Sequence, residues 1–216
     1  MATQNGERRR AALVTGASYG IGYATAVGLA QDGFDVAVSD LTTDTLARTV
    51  ADITAAGGKT AALALDLRVQ ASVERAIADA AAAFGGLDVL VNNAGVPSLG
   101  KPAVEITRAE WEGNIGINLT GTFFMSTTMG RYLIGEKRPG CVISLASTHG
   151  VVGFAGASAY GIAKAGISHM TRMLAIEWAP HNIRVNAVAP GTTLTESRAP
   201  SLENPARREL MVNRIP

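Results

Sequence analysis

Short apolar runs alternate along this chain with longer, alanine-rich stretches. The apolar runs lie near residues 11–15, 34–39, 61–65, 87–91, 141–146 and 183–189. Runs of this length predict buried strands, and the stretches between them, such as 69–84, have the spacing of helices. Strands that alternate with helices form parallel sheets, whose ligands bind at the carboxyl ends of the strands. We therefore expect a single α/β domain: a doubly wound parallel sheet with helices on both faces, in three α/β/α layers.

Composition agrees with this architecture and narrows the class of protein. Of the 216 residues, 47% are hydrophobic and 17% are charged, which suits helices packed on both faces of a buried sheet. The 19 basic and 18 acidic side chains leave a net charge of +1, and no apolar run reaches the length of a membrane span. We expect neither a nucleic-acid partner nor a membrane partner. The single cysteine, Cys141, excludes an internal disulfide and is typical of the reducing cytoplasm, and nothing supports a metal site.

The first residues differ in character from the rest of the chain. Residues 1–9 are polar, and they include part of an arginine run, Arg8–Arg10, that we interpret as solvated. We expect residues 1–9 to form a flexible N-terminal extension and residues 10–216 to form the domain. No basic start followed by an apolar stretch marks a secretory signal, so the expected location is cytoplasmic.

A glycine-rich turn follows the first predicted strand and opens the first predicted helix. Residues 15–22 read TGASYGIG. Glycines in this context permit a tight turn and close approach of the backbone to a pyrophosphate, which the helix N-terminus attracts. The second strand ends in Asp40, 24 residues after Gly16 (40 − 16), where a carboxylate would bind the adenosine ribose and repel a 2′-phosphate. With Tyr19 and Leu41 in place of a basic residue, the pattern predicts NAD. A helix N-cap is the alternative interpretation of Asp40.

A second group of side chains indicates catalysis. Tyr160 and Lys164 stand four residues apart, and Ser147 precedes the tyrosine by thirteen (160 − 147). On a helix such a pair shares a face, so the ammonium group can favour the phenolate and bring a phenol that ordinarily titrates near about 10 toward neutrality. Ser147 would then hold the substrate oxygen. Taken alone, the Tyr-Lys spacing more often belongs to an amphipathic helix whose two side chains face solvent.

With these residues in place, the chain resembles the short-chain dehydrogenase/reductase family from about residue 10 to the C-terminus. Six motifs carry the resemblance: TGASYGIG (15–22), Asp66 with Leu67, NNAG (92–95), Asn118 in INLTG, Ser147 with Tyr160 and Lys164, and Pro190 with Gly191. The resemblance implies a Rossmann-type fold. It points to the branches that contain 3-oxoacyl-[acyl-carrier-protein] reductases and the sugar and polyol dehydrogenases.

The resemblance also implies a role for each matching position. Tyr160 is the expected acid/base, and Ser147 the expected group that polarises the substrate oxygen. Lys164 is expected to hold the nicotinamide ribose, and Asn118 to anchor a water of a proton relay, while hydride passes between nicotinamide C4 and the substrate carbon. The positions expected to bind the cofactor are Gly16, Ser18, Tyr19, Gly20, Ile21, Gly22, Asp40, Asp66, Leu67, Asn93, Ala94, Gly95, Tyr160, Lys164, Pro190, Gly191, Thr193 and Thr195.

Several of these side chains also have a purely structural interpretation. Asn118 could be a helix asparagine turned to solvent, and Asn92 and Asn93 could be simple turn formers. Ser144 could satisfy strand-end amides near Ser147, although it lacks the family's spacing to the tyrosine. His149, two residues after Ser147, has no assigned role. It could touch a polar group of the substrate, but a solvated loop histidine is the more common case.

These features predict an NAD-dependent oxidoreductase that interconverts a secondary alcohol and its ketone, with NADP as the other possible cofactor. Segments 96–101 and 149–157 are expected to wall the substrate pocket. One alternative is an NADPH-dependent 3-oxoacyl-carrier-protein reductase of fatty-acid synthesis, which Asp40 argues against. Another is a non-catalytic cofactor-binding or scaffold protein, which the intact Ser147, Tyr160 and Lys164 argue against.

Assembly and the C-terminus follow from the same resemblance. Relatives form a homodimer or homotetramer, in which helices around 111–134 and 158–178 pack across a two-fold axis; here Gly121, Gly161 and Gly166 would allow close approach. Segment 192–214 corresponds to a mobile lid. Relatives continue past the equivalent of Pro216 with a helix, a last strand and a tail. We therefore expect a shortened sequence with an uncovered sheet edge.

Overall fold

A computed structural model of the chain describes residues 8–196, 199, 203–205, 208 and 209. Six strands form one parallel sheet: β1 (Ala11–Thr15), β2 (Asp35–Asp40), β3 (Thr60–Ala64), β4 (Val89–Asn92), β5 (Gly140–Leu145) and β6 (Ile183–Val188). Their order across the sheet is β3-β2-β1-β4-β5-β6. The strand order reverses between β1 and β4, and the connections that leave these two strands open a crevice at their carboxyl ends. Each predicted strand is present, with its bounds shifted by no more than two residues.

Helices cover both faces of this sheet. They are α1 (Gly20–Gln31), α2 (Ala47–Ala55), α3 (Gln70–Phe84), α4 (Arg108–Ile115), α5 (Thr122–Gly135) and α6 (Ser158–Trp178). Successive strand residues point to opposite faces, so Leu13 and Leu90 pack with α3, α5 and α6, whereas Val14 and Val91 pack with α1 and α2. The predicted doubly wound, three-layer architecture is confirmed. Within the described residues, no helix combines the length and the apolarity that crossing a membrane requires.

A wider helical turn connects α4 to α5. Residues Gly116–Gly121 form a π-helical turn, which the sequence pattern did not predict. Asn118 lies in this turn and is completely buried, so its interpretation as a solvent-facing asparagine is wrong. Such turns place a side chain out of the normal helical phase, and they occur frequently at functional sites.

Charged contacts fasten the first described residues to the amino end of the sheet. Arg8 pairs with Asp88 at 2.7 Å, and Arg138 pairs with the same carboxylate at 3.1 Å. Burial opposes ionisation of Asp88, but the hydrogen bonds from Arg8, the Ala11 amide and Arg138 hold its pKa below the ordinary value. Arg9 donates to the carbonyl oxygen of Gly33 at 3.0 Å. Arg8 and Arg9 are therefore bound, where the sequence analysis took them as solvated.

Three glycines expected to lie between subunits have close neighbours within the chain. A Cβ atom at Gly121 would lie 2.7 Å from the Leu67 Cβ, and one at Gly161 would lie 2.9 Å from the His149 carbonyl oxygen. A Cβ at Gly166 would lie 2.9 Å from a leucine of the π-helical turn. Each of these glycines therefore permits a close approach within the chain, and Gly166 also lines a groove between α5 and α6.

Candidate active site

The glycine-rich loop between β1 and α1 forms a cradle at the crevice. Gly16 and Gly20 have φ angles of 63° and 61°, a region that favours glycine. A Cβ at Gly22 would lie 2.2 Å from the Gly16 carbonyl oxygen, so the first turn of α1 rests directly on the loop. Tyr19, the N-cap residue, makes no side-chain capping bond, and the first turn carries no acidic residue. The uncapped N–H groups and the glycine cradle fit a pyrophosphate.

The NNAG segment after β4 holds this loop in place. The Thr15 hydroxyl oxygen accepts hydrogen bonds from the backbone N–H groups of Asn93 and Ala94 at 3.1 and 3.0 Å. In return, the Asn93 side-chain amide donates to the carbonyl oxygens of Thr15 and Gly16 at 3.0 and 2.8 Å. Asn93 is therefore more than a turn former. The sequence analysis missed Thr15 because its partners lie 78 and 79 residues away along the chain.

Asn92 has a different function in the same segment. It is buried, and its amide donates to the hydroxyl groups of Ser126 and Ser144 at 2.9 and 3.2 Å. These bonds join β4 to α5 and β5 beneath the crevice. The interpretation of Asn92 as a simple turn former is wrong, and Ser144 serves the sheet rather than the strand-end amides.

Asp40 ends β2 beside the glycine loop. Its carboxylate accepts a hydrogen bond from the Ser18 hydroxyl at 2.5 Å and another from the Leu41 backbone N–H at 2.8 Å. The next helical turn begins at Asp44 and has Thr43 at its N-cap, so the N-cap interpretation of Asp40 is wrong. The carboxylate is held at the mouth of the cradle, where the adenosine ribose was predicted to bind.

Asp66 and Leu67 follow β3 on the same side. The Asp66 carboxylate accepts from the backbone and the guanidinium of Arg68, at 2.9 and 2.7 Å, and Arg68 lowers its pKa. Leu67 packs against Gly121 of the π-helical turn. The predicted adenine contact of these two residues stays a prediction.

Ser147 follows β5 and opens a single helical turn, Thr148–Gly150. It is buried, and its hydroxyl oxygen accepts from the His149 backbone N–H at 3.2 Å. A Cβ at Gly150 would lie 2.6 Å from the Lys164 carbonyl carbon. The turn therefore lies directly on α6, which brings Ser147 to the helix that carries the tyrosine and the lysine.

Tyr160 and Lys164 share a face of α6, as their spacing predicted. The Lys164 Nζ lies 5.6 Å from the centre of the Tyr160 ring, and it donates to the Leu145 carbonyl oxygen at 2.6 Å. Lys164 is only 5% exposed, and this burial lowers its pKa from 10.5 to about 8. A solvent-facing amphipathic helix does not describe this lysine.

Asn118 lies close to the lysine and is held by two partners. Its side chain exchanges hydrogen bonds with the backbone N–H and carbonyl of Val96 at 3.1 and 3.0 Å, and it donates to Asn114 at 3.1 Å. A Cβ at Gly95 would meet Asn118 Oδ1 at 2.6 Å and Lys164 Nζ at 3.8 Å. Sequence reasoning missed Asn114, although two asparagines four residues apart on one helix could have indicated it.

Comparison with known proteins places this geometry in a family. The profile described as short chain dehydrogenase matches residues 10–206. The chain belongs to the short-chain dehydrogenase family. It is an oxidoreductase fold of the kind that acts on CH–OH groups, and every motif on which the resemblance was based lies within the matched residues.

Individual members of the family are similar over most of this dehydrogenase. It is 34% identical over 211 residues to the 2-dehydro-3-deoxy-D-gluconate 5-dehydrogenase of Escherichia coli K12, covering 96% of this chain and 81% of the relative. A structure from Sinorhizobium meliloti 1021, described as a short-chain alcohol dehydrogenase, has a TM-score of 0.92 at 41% identity and covers 97% of this chain and 82% of its own. One from Agrobacterium tumefaciens, described as a 2-deoxy-D-gluconate 3-dehydrogenase with bound NADP, has a TM-score of 0.88 at 34% identity, with coverages of 96% and 81%.

The two segments expected to wall the substrate pocket of this dehydrogenase meet each other. The Ser98 hydroxyl and the Gly100 backbone N–H both donate to the Gly156 carbonyl oxygen, at 2.9 and 3.1 Å. Val151 and Val152, in the second segment, are 74% and 56% exposed. These two valines therefore present apolar surface beyond Ser147, and their place in a substrate pocket stays a prediction.

The segment after β6 crosses from the catalytic side to the glycine loop. The Pro190 carbonyl oxygen accepts from the Thr148 backbone N–H at 3.1 Å. Further along, a Thr195 methyl group lies 3.4 Å from the position of a Cβ at Gly20. Gly191 and Thr193 lie between these contacts, and Thr193 is exposed and donates to the Gly191 carbonyl oxygen at 3.4 Å.

An ion pair holds the end of the same segment. Glu196 lies 2.6 Å from Arg48 of α2, and the Arg48 guanidinium also lies over the ring of Tyr23, 4.4 Å from its centre. The remainder of the predicted lid, apart from residues 199, 203–205, 208 and 209, lies outside the described residues. Among all described residues, no cluster of three or more His, Cys, Asp or Glu side chains is placed to hold a metal ion.

Proposed function

We propose that this dehydrogenase interconverts a secondary alcohol and its ketone with NAD, and that Tyr160 is the acid/base. One observation carries the proposal. The Lys164 ammonium group lies 5.6 Å from the centre of the Tyr160 ring and donates to the last residue of β5, the strand that leads into Ser147. A fixed cation near a phenol stabilises the phenolate, and a hydroxyl nearby can hold the substrate oxygen.

Each of these side chains then has a distinct task. Ser147 accepts the His149 backbone N–H, and its hydroxyl proton is the donor that we assign to the substrate oxygen. In the oxidative direction the phenolate of Tyr160 takes the alcohol proton; in the reductive direction the phenol returns it. One N–H of the Lys164 ammonium group donates to the Leu145 carbonyl oxygen. The other two are the donors that we assign to the nicotinamide ribose and to the proposed relay water at Asn118. When bound, the nicotinamide supplies or accepts the hydride.

Asp40 supports NAD as the preferred cofactor. The Ser18 hydroxyl holds its carboxylate beside the cradle, where a 2′-phosphate would bring negative charge against it. The relative described with bound NADP makes cofactor preference the first point to measure. The test is a fluorescence titration with NADH and with NADPH on the wild type and on Asp40→Ala. We expect the wild type to bind NADH more tightly than NADPH. Asp40→Ala should lose this preference, and the control Asp32→Ala, at the far end of α1, should keep it. Tighter NADPH in the wild type would contradict it and favour the biosynthetic reductase.

The proton-transfer role is tested by Tyr160→Phe. We expect turnover of secondary alcohols to fall by about 1,000-fold or more, because the phenyl ring has no proton to exchange, while NADH affinity stays within about 3-fold. Tyr132→Phe is the matched control, since that hydroxyl binds the Leu87 amide away from the crevice. Retained turnover in Tyr160→Phe would refute the role. NADH binding without turnover by the wild type would favour the cofactor-binding scaffold.

We further propose that the subunits pair through α5 and α6. These helices line an apolar groove of about 840 Å³, bordered by Phe123 and Met173, which are 40% and 47% exposed. Contiguous apolar surface of this kind marks an interaction site, and closed symmetric assembly is the usual outcome. Sedimentation should therefore give a dimer or tetramer, and Met173→Glu should lower the mass. A monomeric wild type would contradict this proposal.

A further inference from the structure

His149 lies between the two proposed catalytic side chains. Its Nδ1 is 3.4 Å from the Ser147 hydroxyl oxygen. Its ring packs on Phe154 with centres 4.2 Å apart, and meets Tyr160 edge to face at 5.7 Å. The histidine is therefore not a solvated loop residue, since two aromatic rings fix its plane and Nδ1 lies within reach of the serine.

The hydrogen-bonding capacity of Ser147 shows what this placement can do. A serine hydroxyl has one proton to donate and two lone pairs that accept. The His149 backbone N–H fills one lone pair at 3.2 Å. When Nδ1 carries a proton it fills the second, and the hydroxyl proton can then only point away from the histidine. A hydroxyl held in this way is prepared to donate to an oxygen in the crevice.

We propose that His149 is a positioning residue that acts through Nδ1 to direct the Ser147 hydroxyl proton toward the substrate oxygen. This inference rests on the proposed function and extends it to a residue outside the serine, tyrosine and lysine set. The ring packing supplies the rigidity: Phe154 and Tyr160 restrict rotation of the imidazole, so Nδ1 stays beside the hydroxyl. Preorganised donors of this kind stabilise charge that develops on the substrate oxygen.

Three substitutions separate the ring, the Nδ1 position and the Nε2 position. His149→Phe keeps the aromatic packing but has no ring nitrogen. His149→Asn places a side-chain amide near the position of Nδ1, and His149→Gln places it near that of Nε2. We expect kcat with a secondary alcohol to fall about 10- to 100-fold in the Phe and Gln variants and to stay within about 5-fold in the Asn variant, since removal of a single oriented donor has effects of this order.

The cofactor and the fold give the controls. NADH affinity and thermal unfolding should be unchanged in all three variants, because the cradle does not involve His149, and His181→Phe, at the amino end of β6, should leave kcat unchanged. Activity that Gln restores and Asn does not would overturn the proposal, because His149 would then act through Nε2. Full kcat in His149→Phe, or loss of NADH binding in every variant, would overturn it as well.

The proposed function is tested separately in the same series. If Tyr160→Phe keeps its turnover, the proposed acid/base role fails, and the positioning role of His149 fails with it. If Tyr160→Phe loses turnover and His149→Phe keeps it, only the inference about His149 is refuted.

Discussion

The side of the crevice that we propose binds the cofactor and the side that we propose is catalytic, called here the cofactor side and the catalytic side, are built in opposite ways. On the cofactor side, shape comes from main chain: the loop after β1 is held by Thr15 and Asn93 through backbone atoms, and Gly22 leaves room for a carbonyl oxygen. On the catalytic side, the main chain only supports the side chains of Ser147, Tyr160 and Lys164, which carry the proposed chemistry. The comparison shows two uses of glycine: Gly22 lets the main chain form a binding surface, and Gly150 lets the turn that carries Ser147 lie against α6.

The two sides also differ in how much buried polar groups lower the stability of the fold. On the cofactor side, Thr15 and Asn93 bond to each other's backbone atoms, whereas the catalytic side keeps an ammonium group that is 5% exposed and has one hydrogen bond to the described residues, to Leu145. Burying a charge is unfavourable, and this burial lowers the pKa of Lys164. The proposed catalytic role of Lys164 therefore comes at a cost in stability.

Gly22→Ala should break the cofactor side with the largest effect. A Cβ there would lie 2.2 Å from the Gly16 carbonyl oxygen and 2.4 Å from the Asn93 amide, so the loop must move. We expect NADH affinity to fall about 100-fold or more, together with a lower melting temperature. Gly28→Ala in the same helix is the control, since beyond the backbone of its own helix no described atom lies within 4 Å of the added methyl group. Equal NADH affinity in the two variants would contradict the view that main-chain shape makes the site.

Gly150→Ala should damage the catalytic side alone. Its Cβ would lie 2.6 Å from backbone atoms of Lys164 and Ala165 and would push the turn that carries Ser147 away from α6. We expect kcat to fall about 30-fold while NADH affinity stays within about 3-fold, because misplacement by a fraction of an ångström is costly for catalysis. Gly153→Ala, with open space around it, should be neutral. If Gly150→Ala instead lost NADH binding, the conclusion that the two sides are built independently would be wrong.

Lys164→Met should reveal the cost of the buried charge as a pH dependence of stability. Since the pKa of Lys164 falls from 10.5 to about 8 on folding, the unfolded chain binds more protons between these values, and wild-type stability gains with rising pH there. The wild type should gain roughly 2 kcal/mol relative to Lys164→Met between about pH 7.5 and about pH 9.5. Denaturant unfolding of both proteins at the two pH values measures this difference. A constant difference would mean that the lysine is not desolvated.

The sequence predicted those features that depend on neighbours along the chain. Aliphatic runs identified the strands, and the four-residue spacing placed Lys164 beside Tyr160. It could not reveal contacts closed by the fold, such as Thr15 with Asn93 or Arg48 with Glu196, 148 residues apart. Gly161 was identified as a position of close approach between subunits, but the sequence did not show that the His149 carbonyl oxygen lies beside it in the same chain.

The π-helical turn at Gly116–Gly121 joins α4 and α5 into one continuous helix whose side-chain periodicity is interrupted at the turn. Each residue of an α-helix advances the direction of its side chain by about 100°, and the turn accommodates one extra residue. Apolar positions counted forward from α4 therefore fall out of step in α5. Deleting one residue within the turn should restore a regular helix, leave Met125 and Met129 facing the sheet, and change only the local position of side chains such as Asn118. In an alignment, a relative without this turn would show a single-residue gap here, and the gap would record a change of geometry beside Asn118.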